Sequence, residues 1–234
     1  MNKETIEAVL KSHKDFLEGK STGRKANFSG ARLVNADFDG ANLAGVSFAK
    51  AELTGYTYFS NTDLTGANFT NSVIEGADFT NSVIVGADFS RADLTGATFT
   101  QSDVRGVIFS YADLTDVDFS YINLEASQFQ YAKLQGANLT RSILARANLA
   151  NSILKDTKLF DTTGNSRQIK TVQLDYVVNY TVDRLQIGCK NYSFDEWLNF
   201  SDSEIASMDS GALEFWKANK DLIFKIIETS PAIL

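Results

Sequence analysis

For nucleophilic or general-base chemistry this 234-residue chain offers one cysteine, Cys189, and one histidine, His13. A Cys–His pair works only within hydrogen-bond reach, and these two residues sit near opposite ends of the sequence. A zinc centre built on Cys and His cannot be filled from one residue of each kind. Carboxylates are abundant, 29 Asp and Glu against 22 Lys and Arg for a net charge of −7. They recur on what reads as a solvated surface, with no apolar pocket to raise a pKa for acid catalysis. Gly86 and Gly96 stand at a regular ten-residue interval rather than in a phosphate-binding loop. The expectation is a chain with no catalytic residues, no cofactor and no metal. His13 reads as a half-buried residue of a capping helix, and Cys189 as a small core residue at a strand end.

The elements that would position any site are set by an unusual period. From Phe28 to Leu159 almost every fifth residue is large and apolar, with a small residue two places before it. These centres run Phe28, Leu33, Phe38, Leu43, Phe48, Leu53, skip one extra residue, and resume at Phe59. A period of five fits neither the helical 3.6 nor the strand period of two. Repetition of this kind signals a solenoid, in which each unit buries its apolar group by stacking on its neighbours. Centre and small residue point inward and the other three positions outward. Phe alternates with Leu, Ile or Val along the centres, so an even number of sides keeps the stacked columns pure. With four sides, Phe28, Phe48, Phe69, Phe89, Phe109 and Phe129 form one column and Leu33, Leu53, Ile74, Leu94, Leu114 and Leu134 another.

The pattern resembles the pentapeptide repeat, A-(D/N)-(L/F)-x-x, over twenty-seven centres, about 135 of the 234 residues. The resemblance implies an all-β solenoid, a right-handed quadrilateral parallel β-helix with four repeats per coil. Thr or Ser follows many centres (Thr65, Thr95, Thr115), where a hydroxyl can bond turn backbone. Gly recurs one place later (Gly66, Gly76, Gly86, Gly96), where corners require unusual φ. The extra residue within Gly55-Tyr56-Thr57-Tyr58 reads as a corner bulge.

An open stack exposes its core at both ends, so caps are expected. Residues 1–25 read as an N-terminal cap with a helix over 4–18, its stripe formed by Ile6, Val9, Leu10, His13, Phe16 and Leu17 and its stop by Gly19. Residues 26–160 form the solenoid, and Asp161 to Ser166 read as a loop. Residues 161–234 read as a mainly helical C-terminal cap. It has two short strands (Tyr176, Val178, Tyr180, Val182; Leu185, Ile187, Cys189) and capping boxes at Ser193-x-x-Glu196 and Ser201-x-x-Glu204. A longer helix capped by Ser210 follows, apolar on more than one side and expected to pack on the solenoid end or a second chain. The run Ile187-Gly188-Cys189-Lys190…Glu196-Trp197 is similar to tails of some bacterial and phage pentapeptide-repeat proteins, a resemblance that implies no activity.

Between Ala26 and Gln135 thirteen acids face five bases. Rotation over four sides places Glu52, Glu75, Asp93, Asp113 and Asp116 on one side and Asp37, Asp39, Asp78 and Asp118 on the next. Past Gln135 the sign flips, with Arg141, Arg146, Lys155 and Lys158. Some members of the family mimic duplex DNA, bind type II topoisomerases such as gyrase and protect them from quinolones. The resemblance therefore implies a topoisomerase regulator as the alternative to a non-enzymatic scaffold for an unnamed protein. The acidic stretch is about 26 Å long at ~4.8 Å per coil, where B-DNA carries about fifteen charges; the rod has about half that. Asp and Asn before the centres serve equally to satisfy turn backbone. Tyr111, Tyr121 and Tyr131 project outward as candidate contacts, Tyr111 and Tyr131 on a shared side. Outward Ile143 and Ile153 point to a homodimer through the C-terminal half. Acidity argues against direct nucleic-acid or anionic-membrane binding, and the polar start and single cysteine are those of a cytoplasmic protein.

Overall fold

A computed structural model describes residues 1–164, 170–229 and 231–233. Parallel bridges join each side of the repeat region to the residue one coil later: Arg32 to Glu52, Glu52 to Val73, Val73 to Asp93, Asp93 to Asp113. The spacing is twenty residues, or twenty-one across the extra residue (Asp37 to Tyr58). Each side is thus one five-residue unit and each coil four units. Every centre is buried, and so is the residue two before it except at Ala31, Ala41 and Ser152, near the ends of the tube, which are half-buried.

Why five residues make one side is seen at the corners. The centre's carbonyl accepts the N–H three residues on, as in Ala67 N–H to the Leu64 carbonyl at 2.9 Å. The residue two after the centre has positive φ at every corner that carries Gly, and also at Asn61, Asn71, Asn81, Arg91, Tyr111 and others. A β-turn with positive φ at its third residue alone is type II, which favours Gly or Asn there. The expected bulge is present: Gly55 has φ 78°, and the Asn35 side chain of the coil below accepts the Tyr56 N–H at 3.1 Å.

Inside, the two phenylalanine columns stack as parallel rings, Phe48 on Phe69 at 4.7 Å and Phe59 on Phe79 at 5.0 Å. The columns also meet edge to face across the tube, Phe59 to Phe69 at 5.6 Å. Offset stacking along the axis and T-shaped contact across it are both favoured ring geometries. At several positions where the small inward residue is Ser or Thr, its hydroxyl donates to a core carbonyl: Ser72 to Phe69, Ser82 to Phe79, Thr157 to Leu134; the inward hydroxyls of Thr57 and Ser142 are buried without such a bond. The hydroxyls after the centres behave otherwise. Thr95 and Thr115 donate to the carboxylates of Asp93 and Asp113 rather than to turn backbone, because a carboxylate is the stronger acceptor within reach.

Helix α1 spans Lys3–Leu17, capped by the Asn2 side chain. Ile6 is buried in the tube core, with Val9 and Leu10 packed against it. Two features differ from the sequence reading. His13 is fully buried, at 1% exposure, because it sits where the chain enters the first coil: Nδ1 accepts the Ala26 N–H at 3.3 Å. Phe16 and Leu17 are exposed, at 44% and 45%. A 15-residue helix is about 22 Å long, and its last turn lies off the core, Leu17 lining an open groove with Gly40, Ala41 and Asn42.

The C-terminal region has four strands, not two: β1 Lys170–Gln173, β2 Val177–Tyr180, β3 Arg184–Ile187 and β4 Lys190–Ser193, antiparallel in that order. Helices α2 (Phe194–Asn199) and α3 (Asp202–Met208) begin with both expected capping boxes. Helix α4 (Ala212–Thr229) follows, but Asp209, not Ser210, supplies the acceptor before it, taking the Gly211 N–H at 3.1 Å. Part of the expected loop, Asn165 and Ser166, lies outside the described residues. Val178, Tyr180, Leu185 and Ile187 share a second core with Trp197, Ile205, Phe215, Trp216 and Ile223. Helix α4 thus packs against the sheet and helices of the C-terminal region. What meets the tube end is the other face of the sheet. Register partners Asn179, Gln186 and Asn191 bond its last coil: Asn179 donates to the Leu159 carbonyl, Gln186 accepts the Leu159 N–H, and Asn191 donates to the Leu154 and Thr157 carbonyls.

Candidate functional site

The four sides give every outward residue an address. On the side with centres Leu33 to Leu154, the residues before the centres form one bridged column: Arg32, Glu52, Val73, Asp93, Asp113, with Lys133 and Ile153 above. On the next side the column is Asp37, Tyr58, Asp78, Thr98, Asp118, Asn138, Lys158. The expected acids therefore do fall on two adjacent sides, but in broken rows. Asp93 and Asp113 are direct neighbours, whereas Val73 separates Asp93 from Glu52, and Thr98 separates Asp78 from Asp118. Glu75 and Asp39 follow their centres, and Asp116 sits on a corner with φ 57°.

Most of these acids have local work. Asp37, Asp78, Asp93, Asp113 and Asp118 each accept the backbone N–H two residues on, at 2.8–3.2 Å. The same bond is made by Asn27, Asn42, Asn68, Asn138 and Asn148, so it needs a side-chain oxygen and no charge. Glu52 lies 3.5 Å from Arg32, Asp113 is bridged by Lys133 at 2.8 Å, and Asp39 accepts from Asn61 at 2.9 Å. Burial is the largest single effect on Asp113 and opposes ionisation, but Lys133, the Thr115 hydroxyl and the Thr115 N–H together hold its carboxyl below the usual range. Asp78 behaves likewise: burial again weighs most, and the Thr80 and Ser60 hydroxyls and the Thr80 N–H outweigh it. At the far end Arg146 pairs with Glu125 and Arg141 with Asp161, so the basic end is partly neutralised.

The three tyrosines occupy corners, each in the left-handed region (φ 62°, 61° and 60°). Tyr111 and Tyr131 stack at 4.8 Å on one corner; Tyr121 stands on the diagonally opposite one, at 68% exposure. Sequence reasoning missed their cationic partners. Arg91 lies over the Tyr111 ring at 4.7 Å, and Arg141 lies over Tyr121 at 5.6 Å and donates to its hydroxyl. Both arginines are one coil, twenty residues, from their tyrosines, which is the signal that could have found them. Ile143 and Ile153 lie on opposite sides of the tube, since each belongs to a different bridged column. A single two-fold patch can therefore use one of them, not both.

Cys189 is exposed, in the turn between β3 and β4, not in a core. The turn begins at Gly188 with φ 57°, which takes Cys189 out of the strand alternation. It borders a narrow apolar crevice with Trp197, Phe215 and Trp216. His13 lies in α1, beside the first coil of the tube. No group of three or more metal-ligating side chains is found among the described residues, and no helix there is long and apolar enough to cross a membrane.

Two family models match the sequence: one described as pentapeptide repeats (9 copies) over residues 38–83, the other as a pentapeptide repeat region over residues 72–159. No curated protein matches. Among solved structures the chain is similar to HetL, a pentapeptide repeat protein involved in heterocyst differentiation regulation from the cyanobacterium Nostoc sp. Strain PCC 7120. That match has 20% identity, covers 64% of this chain and 93% of that one, and has a TM-score of 0.31. It is similar to full-length QnrB1, a plasmid-mediated fluoroquinolone resistance protein (22% identity, 59% and 79% covered, TM-score 0.31). A third is Rfr23 from the cyanobacterium Cyanothece 51142 (21% identity, 57% and 88% covered, TM-score 0.28).

Proposed function

This chain belongs to the pentapeptide-repeat family, and on that premise we propose that it is a non-catalytic scaffold that holds a protein partner against the outside of its tube. One observation carries the reading: the outward aspartates before the centres are occupied with the tube's own backbone, whereas the tyrosines at the corners are exposed and held by stacked neighbours. Tyrosine on a rigid frame offers large contact area with little entropy to lose. We read the coil as right-handed, α1 as its cap, and the domain limits as 1–25, 26–160 and 161–234. The burial of Ile6 and His13 against the first coil supports the capping role. The test is affinity capture from the native host with the intact chain and with a variant replacing Tyr111, Tyr121 and Tyr131 by Asn. A partner retained equally by both would remove the tyrosines from the contact.

The second reading is a DNA-mimic regulator of a type II topoisomerase. The adjacency of Asp93 and Asp113, with Glu75 on the same side, favours it. The breaks at Val73 and Thr98 and the pairing of Glu52 and Asp113 by bases weigh against it. A gyrase supercoiling assay with and without a quinolone decides. No effect at micromolar protein removes this reading, and an effect abolished by reversing Glu75, Asp93 and Asp113 establishes it.

A further inference from the structure

Along the corner that follows the Phe28 to Leu149 side, four successive left-handed positions carry Arg91, Tyr111, Tyr131 and Asn151. Asn suits that conformation, which recurs at the corners all along the tube; for Arg and Tyr it is a costly choice. Arg91 lies over the Tyr111 ring and Tyr111 stacks on Tyr131, so three flat groups stand in file with each tyrosine half exposed. No ion-pair partner of Arg91 exists among the described residues. Above Tyr131 the file runs into a crevice of about 170 Å³ at the end of the tube. Asn151, Ser152 and Leu154 line it from the tube, and Val182, Asp183 and Ile233 from beyond it.

Building on the scaffold reading, we propose that this edge binds an extended segment of a partner protein, with a carboxylate on Arg91 and an aliphatic side chain in the crevice. Charge complementarity selects the carboxylate. A guanidinium stacked on a ring keeps its in-plane donors free for bidentate bonding. The two phenols supply hydrogen-bonding groups along the path between. Arg91 and Asn151 are three coils apart, about 14 Å at ~4.8 Å per coil, which about four residues of extended chain span.

The test selects random linear peptides of about seven residues, long enough to cover the file, displayed on phage against the full chain. The expected winners carry Asp or Glu about four positions from Leu, Ile or Val. Binding of the synthesised peptide should fall at least about tenfold in the Tyr111→Asn/Tyr131→Asn double variant and in Arg91→Asn. Melting temperatures should be kept or raised in both variants, since Asn fits the left-handed backbone better. Winners that bind wild type and variants alike overturn this edge as the site while leaving the scaffold reading intact. A selection that enriches nothing overturns the extended-segment proposal, and the capture experiment judges the scaffold reading separately.

Discussion

Asn191, on the last strand of the C-terminal sheet, donates its side-chain amide to the Leu154 carbonyl thirty-seven residues earlier, at 3.0 Å. It also reaches Thr157 at 2.9 Å, and both bonds are buried. The last coil of a parallel stack has no following coil to take its carbonyls, and a buried unpaired carbonyl costs about 1–3 kcal/mol. Asn191→Leu should therefore destabilise the chain by about 2–4 kcal/mol in urea denaturation. A loss below about 0.5 kcal/mol would show that the amide row is incidental to closing the tube.

The stacked rings set a second expectation. Phe79 is wholly buried, stacked on Phe59 and Phe99 and edge-on to Phe69 and Phe89. Phe79→Ala should cost about 3–5 kcal/mol. Phe79→Leu should cost less, because the opposite pair of sides already stacks aliphatic residues in the same tube. Equal losses for the two variants would mean that ring geometry, not filled volume, dominates the column.

Corner chemistry can be tested with one methyl group in each direction. Ala126 has φ 59° and Gly96 φ 67°, and a Cβ added at Gly96 would meet nothing within 4 Å. Backbone conformation alone therefore separates them. Ala126→Gly should stabilise and Gly96→Ala destabilise, each by about 1 kcal/mol, read from thermal or urea melting. Shifts of the same sign in both would contradict the left-handed corner.

The acids before the centres allow a direct separation of charge from hydrogen bonding. Asp93→Asn keeps an oxygen for the Thr95 N–H and should change stability by less than about 0.5 kcal/mol. Asp93→Ala should cost about 0.5–1.5 kcal/mol. If Asn proves as costly as Ala, the charge itself matters, and the reading of these rows as turn-formers is wrong.

His13 makes the packing of α1 on the first coil sensitive to acid. Burial, and secondarily the charge of Lys25, holds its pKa below the usual value, and Nδ1 can accept the Ala26 N–H only while it carries no proton. The unfolded chain takes up its proton near pH 6.5, the folded chain at lower pH. Stability from this residue is thus complete above about pH 7 and falls as pH drops through 6.5, levelling off below the folded pKa. Amide exchange at Ala26 followed between pH 7.5 and 5 should show the first coil loosening, and His13→Asn should flatten that profile. An unchanged profile in the variant would assign the acid response elsewhere.

The tube was legible because its rule is local: Phe69, Ile74, Phe79 and Ile84 repeat the constraint often enough to outvote any exception. Even the twenty-residue columns followed from counting. Pairings one coil apart, such as Arg91 with Tyr111, lay within reach of the same counting but carry no local signature. The sheet was harder. Asn179, Gln186 and Asn191 look like ordinary polar positions of alternating strands, and only the three-dimensional register shows them facing the tube end. Cys189 continues the alternation of Leu185 and Ile187 in sequence, but it stands two residues past the end of β3, in a turn that Gly188 begins. Phe16 and Leu17 continue the helical stripe in sequence, but the core they would cover ends before they do.

A tube built from one repeated rule looks almost the same at every height, so a partner sliding along it would find few landmarks. The outward step at Gly55–Tyr58, locked by Asn35 and presenting Tyr56 at 77% exposure, breaks that sameness once, near the first coils. It gives the rod an origin from which position can be measured.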